Sequence, residues 1–484
     1  LVLEGPETRR QRRLRAVGRN DDRNDRRRSA VACRDSVRSG QTVKCTLGGP
    51  LPNMSSSDAT SFNRDLALPA LAILSGSVVA AAASFGTRLV MARSLSPAEL
   101  GDVVMAIAVV SVIGGVAGLG LHLAATQRLA SGIDRSPEQW ATTARTAVAV
   151  GLLTGVLATI VCLLAAYPLA ALWRQPGLVG PRMALSPVAG LLPVGLAVLG
   201  VARAHEDLFG RAVLRDGSGG VARLVLVALT ALAGGGATAQ AAAFSAGVGV
   251  AELGFFAHGV RRGWYRGARG SWDGELIRGL RPFALLALVS QLAQWFDLLL
   301  LGAMASATQV GLDGVARSLL RVVALVAEAA GHRFLPRAAQ AVAAGSGQTV
   351  DRLYGGARAI VLIPVGPLAA VALAAPRELL VLLFGADYAP GAPALRLLAL
   401  IVILVVAVGV PDRLLIAAGS PGTVSRIRAV AIVIGTAVGL WAIPRWQALG
   451  AALAWGVMAV VEAGLFTLSL RGRHPVRIVT RGLW

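Results

Sequence analysis

The sequence predicts an all-α, polytopic integral membrane fold of about twelve transmembrane helices, arranged as two pseudo-symmetric six-helix lobes around a central cavity. Three observations predict it. The 484 residues are 55% hydrophobic and only 15% charged, whereas a soluble domain carries about 25% charged residues. The apolar residues come in runs of about 18–25, the length that crosses a bilayer. The chain also resembles itself at a constant offset of 210 positions.

Residues 1–53 stand apart from the rest. They are Arg-rich, of mixed charge, and have no periodic apolar face. No apolar core precedes a small-residue cleavage site, so the stretch is not a secretory signal. Met54 opens the more credible reading, MSSSDATSFNRDLALPALAIL. The tail is expected to be either upstream sequence translated from a misassigned start or a disordered arm.

Hydropathy then places six spans in each half. The first six are Leu66–Ala92, Gly101–Leu123, Thr142–Tyr167, Met183–Ala202, Gly220–Ala233 and Thr238–Val260. The second six are Pro282–Ala305, Gly311–Ala330, Gly355–Ala375, Ala392–Ala418, Ala429–Ile443 and Leu449–Leu470.

The loops test the count. Arginines gather on alternate loops, such as Arg203, Arg211, Arg215 and Arg223, or Arg333, Arg337, Arg352 and Arg358. The opposite loops hold Arg88, Arg93, Arg174, Arg182, Arg377, Arg396 and Arg445, a deficit of more than threefold. The positive-inside rule then puts both termini, including the tail 472–484, in the cytoplasm of a multi-pass protein of the bacterial inner membrane. An odd number of spans would scramble this alternation.

The repeat supplies the architecture. At the 210-residue offset Met91–Gly101 falls on Leu301–Gly311, Arg203 on Arg413, and Val250–Arg261 on Val460–Arg471, so that Glu252 matches Glu462. The halves are 66–261 and 276–471. Six spans is an even number, so both halves have one orientation, related by an axis along the membrane normal with a cavity between them.

Composition also excludes functions. The net charge of +21 needs no nucleic-acid partner, because arginine concentrates in the tail and in alternate loops; Lys44 is the sole lysine. Without a Gly-Lys-Ser/Thr there is no P-loop. Cys33, Cys45 and Cys162 form no CxxC or Cys/His cluster, so no metal site or disulfide framework is expected. No cofactor motif appears, and outer loops of about 25 residues or fewer are too short for a catalytic domain. Movement rather than bond-making is indicated, so the chain is expected not to be an enzyme.

The stretch Gln291–Glu328 carries the strongest functional signal. Two apolar runs flank a turn expected at Ser306–Gly311, and within them lie Asp297, Asp313, Arg317, Arg321 and Glu328. Asp313, Arg317 and Arg321 are spaced by four and share a helical face, with Glu328 near the same stripe. A charge at mid-membrane costs about 2.5–3.5 kcal/mol on insertion scales and usually faces a polar cavity or a partner. Two readings stand: these residues line a cavity, or Asp297 and an arginine pair to hold helices together while Arg317 snorkels. Glu252 and Glu462 are either polar lining, or protonatable sites, or hydrogen-bonding joints between helices. Arg88 shares a face with Ser77 and Ser84 and would meet an anionic head group from the cavity or anchor at the interface. Gly114–Gly120 is expected to permit close helix packing. Trp173, Trp441, Trp446 and Trp484 read as interfacial anchors.

Several of these stretches resemble a known family. Arg88–Ala130 is similar to the first hairpin of polysaccharide flippases of the Wzx type, in the multidrug/oligosaccharidyl-lipid/polysaccharide exporter superfamily. DLLLLGAMASATQVGLDGVARSL resembles their seventh-span hairpin, with Asp297 at an acidic position usual there. Leu382–Leu400 resembles their LFGxxYxxAxxxLRxLA segment, and Leu414–Val430 and Ile443–Trp455 their closing region. Ser96, Leu100 and Asp313 depart from the family's usual Gly, Tyr and Tyr, which bears on subfamily and substrate. The resemblance implies movement of a polyprenyl-diphosphate-linked oligosaccharide between leaflets for surface polysaccharide assembly, by alternating access of two lobes. It also implies cavity arginines for the diphosphate, here Arg317, Arg321 and Arg88, and membrane lipids and polysaccharide polymerase or ligase enzymes as partners. Rival expectations are a cation-coupled drug exporter, a lipid II flippase of the same fold, and a polymerase or ligase of the pathway. Two arginines in the hairpin disfavour the first; short outer loops and the repeat disfavour the last.

Overall fold

The first described helix, α1 (residues 78–94), ends at the turn before Ser96, and that serine starts the next helix. Its hydroxyl accepts from the Glu99 N–H, and the Glu99 carboxylate accepts from the Ser96 N–H at 3.0 Å. This reciprocal cap satisfies two orphan donors and fixes where α2 (Pro97–Ala117) begins. A computed structural model supplies the structure, which describes residues 76, 78–130, 136–207, 210–267, 270, 272–319, 338, 346–409, 411–417 and 420–471.

The chain continues as α3 (Leu121–Ala130), α4 (Pro137–Leu164), α5 (Ala166–Leu172) and α6 (Val179–Ala204). A π-helical stretch, Gly210–Gly217, leads into α7 (Ser218–Leu232) and α8 (Ala237–Arg261). The second half contains α9 (Gly274–Met304), α10 (residues 307–319), α11 (Gly347–Ala374), α12 (Pro376–Phe384), α13 (Ala392–Val408), α14 (Pro411–Ala417) and α15 (Pro421–Arg471). The last is two helices broken at Gln447 (φ 49°), which separates the expected eleventh and twelfth spans. Among the described residues there is no strand, and seven helices plus one bent pair are long and apolar enough to cross a membrane.

Boundaries shift where polar residues cap a helix early. The seventh span was expected from Pro282; α9 begins at Gly274, because Asp273 accepts from the N–H groups of Glu275 and Leu276 at 3.1 Å each. The turn expected at Ser306–Gly311 is confined to Ala305–Ser306, and Gly311 lies within α10. The reason is close packing, described next.

In the N-terminal lobe α6 is the centre, touching α2, α3, α4 and α8; α7 packs on α8. In the C-terminal lobe α13 and α9 both pack on α15, and α11 packs on α13. The lobes meet where α2 crosses α10. A Cβ at Gly101 would stand 1.8 Å from the Ala307 carbonyl oxygen, and one at Gly311 would stand 2.0 Å from that of Pro97. Both pairs are related by the same offset of 210, so the contact is reciprocal about the pseudo-two-fold. The glycines are required because backbone replaces side chain at the axis.

Further contacts seal this end, which is the arginine-poor one. Arg93 Nε donates to the Leu383 carbonyl at 2.7 Å, and Gln175 Nε2 donates to those of Gly302 at 3.0 Å and Ala305 at 3.1 Å. Tyr388 donates its hydroxyl to the Leu95 carbonyl at 3.3 Å. One apolar core accordingly runs through both lobes here, including Leu100, Val103, Leu301, Val315, Phe384 and Leu395. At the arginine-rich end the described residues form two separate cores. One holds Leu121, Ala197, Phe255 and Trp264; the other holds Tyr354, Leu414, Phe466 and Leu470. The first core also takes Leu276 and Leu280, so the opening turns of α9 pack on the N-terminal lobe. Asp273 fastens them there, accepting from Thr143 Oγ1 at 2.6 Å and pairing with Arg128 Nε at 3.2 Å.

Candidate functional site

Beneath the glycine crossing lies a cavity of about 120 Å³ between the lobes. Helices α1, α2, α7 and α8 form one wall, with Ser84, Phe85, Arg88, Arg223 and Phe244; α9 and α10 form the other, with Trp295, Leu298, Gly314, Arg317 and Ser318. Three arginines line it, and among its described lining residues there is no carboxylate.

Arg317 reaches the cavity through its own anchoring. Its Nε bonds Asp313 Oδ2 one turn earlier, and its Nη2 stands 2.5 Å from Asp297 Oδ2 on α9. Both aspartates are fully buried, while the arginine side chain is 21% exposed. Asp297 Oδ1 accepts the Leu298 N–H at 2.8 Å. Two buried carboxylates thus grip one guanidinium from behind and present its free edge to the cavity. The repeat mates of Asp297, Asp313 and Arg317 are Thr87, Val103 and Ile107. The corresponding helices of the first half thus pack without these charges.

Arg88 crosses to the same wall. Its Nη1 would stand 3.6 Å from a Cβ on Gly314, three residues before Arg317. Arg223 approaches from α7, its guanidinium 5.5 Å from the centre of the Phe244 ring and its Nε donating to the Gly219 carbonyl at 3.2 Å. Sequence reasoning assigned Arg223 to a loop. It lies inside Ser218–Leu232 because the π-helical stretch before it lengthens the helical column. The available signal was its place inside the hydropathy-defined span beginning at Gly220.

The remaining candidates lie elsewhere. Glu252 is buried and takes a two-pronged contact from Arg215, with Nη2 to Oε1 at 2.8 Å. Glu462, its repeat mate, accepts from Arg428 Nε at 2.8 Å. Each glutamate ties the last helix of its half to a preceding segment, and neither is among the cavity residues. Arg321 and Glu328 lie outside the described residues, as do Ser77 and Trp484. The glycines from Gly114 to Gly120 meet neighbours at close range: a Cβ on Gly120 (φ +66°) would stand 2.6 Å from the Phe283 carbonyl oxygen. Trp441 and Trp446 stack edge to face at 5.1 Å and are half exposed. Among the described residues no group of three His, Cys, Asp or Glu could hold a metal ion.

Comparison with known proteins places this geometry. The model of a family described as polysaccharide biosynthesis protein matches residues 69–341. Similar solved structures include an inward-facing multidrug resistance MATE family transporter of the MOP superfamily (18% identity, TM-score 0.68, covering 84% of this chain and 98% of that one). The lipid II flippase MurJ in an inward closed conformation is similar at 12% identity and TM-score 0.68, over 84% and 87% of the two chains. The MATE multidrug transporter DinF-BH follows at 15% identity and TM-score 0.63, over 89% and 99%. None of the curated proteins compared matches the chain.

Proposed function

The chain belongs to the polysaccharide biosynthesis protein family, and from that premise we propose that it moves a polyprenyl-diphosphate-linked oligosaccharide across the bacterial cytoplasmic membrane. It is a multi-pass membrane protein of a transporter fold. One observation carries the substrate reading: three arginines and no carboxylate among the described lining residues of the cavity. A positive cavity attracts a diphosphate and repels a cation. Its roughly 120 Å³ suits the phosphates, with the glycan extending toward the open end.

In this mechanism Arg88 and Arg317 clamp the diphosphate, and Arg321, expected from the sequence to share their role, completes the set of arginines. Asp297 and Asp313 hold Arg317 in place, so the clamp is set before substrate arrives. With both termini cytoplasmic, the arginine-rich end opens inward and the sealed end faces outward. Substrate release requires the α2–α10 crossing to part while the two separate cores close together. The lipid tail stays in the bilayer throughout.

The test is deletion of the gene with leaflet-resolved analysis of lipid-linked glycans. Loss of surface polymer, with intact lipid-linked units held on the cytoplasmic side, is the expected result. Accumulation of peptidoglycan precursor instead assigns the lipid II reading, which shares the diphosphate chemistry. Normal polymer with altered sensitivity to toxic cations overturns the proposal in favour of a drug exporter.

A further inference from the structure

On the C-terminal lobe, at the sealed end, a second hollow of about 740 Å³ opens on the protein surface. Its walls are apolar: Leu373, Pro376, Leu397, Leu400 and Leu449. Leu400 is 47% exposed, and the nearby Leu382 and Leu404 are 72% and 51% exposed. In a membrane protein such leucines face acyl chains, so the hollow is continuous with the lipid-covered surface. Three charged side chains stand in it: Arg377, Glu378 and Arg396.

These charges are out of place by two measures. They sit at the end of the molecule where arginine is scarce. Their repeat mates, 210 residues earlier, are Tyr167, Pro168 and Ser186, so the fold forms the same corner without them. Nor do they neutralise one another. Among the described residues neither Arg377 nor Glu378 has a hydrogen-bonding or ionic partner, and Arg396 commits its Nε to the Leu373 carbonyl at 3.2 Å. That bond orients the guanidinium and leaves its two terminal amino groups available.

We propose that this hollow binds a phospholipid whose head group carries both a phosphate and a primary ammonium, taken from the leaflet at the sealed end. The phosphate lies between the guanidiniums of Arg377 and Arg396, which favour bidentate phosphate contacts. The ammonium donates to Glu378. One acyl chain runs over Leu397 and Leu400. The charge pattern, two positive groups and one negative, is complementary to a zwitterionic head group and commits the site to it. An anionic head group without an amine leaves Glu378 facing its phosphate unpaired. A quaternary ammonium has no N–H to donate.

The experiment is native mass spectrometry of the purified full-length protein with an equimolar mixture of phosphatidylethanolamine, phosphatidylglycerol and phosphatidylcholine of matched acyl chains. Wild type should retain phosphatidylethanolamine over the other two by roughly tenfold, the ratio expected from one charge-assisted hydrogen bond. The Arg377→Gln/Arg396→Gln double variant should lose retention of all three. Glu378→Gln should keep phosphate binding but lower phosphatidylethanolamine to the phosphatidylcholine level. All three side chains are exposed, so unchanged elution on size exclusion should show that the variants fold. Equal retention by wild type and the double variant overturns the proposal, and so does a preference for phosphatidylglycerol. Displacement of every lipid by free phosphoethanolamine overturns the lipid assignment and identifies a soluble ligand.

Discussion

Arg317 is held by two carboxylates that have no access to water. Removing one member of a buried charge group costs about 3–5 kcal/mol, because the survivors are left uncompensated. Arg317→Ala should therefore lower thermal stability sharply, read by unfolding of the detergent-purified protein, besides abolishing flipping. Arg223→Gln separates the two effects. Glu252 keeps its two-pronged partner Arg215, so stability should stay near wild type while flipping of a labelled lipid-linked glycan falls roughly tenfold, the value of one charged hydrogen bond. The triad was legible in the sequence because a charge within a long apolar run has few favourable places to go. Arg223 was not, because an arginine near a span end looks the same whether it faces water or a cavity. The anchors Arg215 and Arg428 were missed for a related reason: they are 213 residues apart, out of register with glutamates 210 apart.

At the scale of elements, glycine decides where helices cross. Gly101→Val puts a side chain where the Ala307 carbonyl oxygen now stands, and the α2–α10 crossing must widen. Cysteines placed at the sealed end should then become reactive to membrane-impermeant thiol reagents in the variant and remain protected in the parent. Gln447 breaks α15 with φ at +49°, a conformation that costs a non-glycine residue about 1–3 kcal/mol. Gln447→Gly should raise the unfolding temperature, since the side chain is exposed and contributes little else. The start of α9 responds to acid. Burial would raise the Asp273 carboxyl, yet the Thr143 hydroxyl, Arg128 and the Leu276 N–H outweigh it and hold the group below the usual aspartate range. Its stabilising contact is complete above about pH 4 and is lost only as pH falls through that lowered value. Hydrogen exchange over 274–280 should rise in strong acid, and Asp273→Asn should reproduce the rise at neutral pH. Neither the cap at Ser96 nor the early start at Asp273 was read from the sequence; the latter was hidden by a polar first turn that hydropathy assigns to a loop.

Over the whole molecule, one core spans both lobes at one end and two cores stand apart at the other. Spin labels on α3 and α14 should report a broad distance distribution that shifts on addition of substrate, while labels on α2 and α10 report a short one that lengthens. The fold class and the repeat could be read from apolar run length, alternating arginines and a constant offset. Which end is closed could not, because the same residues must make both states and differ only in which contacts they choose. The glycine crossing carries a further consequence. Pro97, Gly101, Ala307 and Gly311 make one contact twice over, each half offering the surface its counterpart accepts. A half-length protein bearing that surface would already be self-complementary. Two identical copies of such a half could form this same crossing about a true rotation axis, whereas here one chain forms it about an approximate axis. Asp297, Asp313 and Arg317, whose repeat mates carry no charge, mark where the two halves depart from one another.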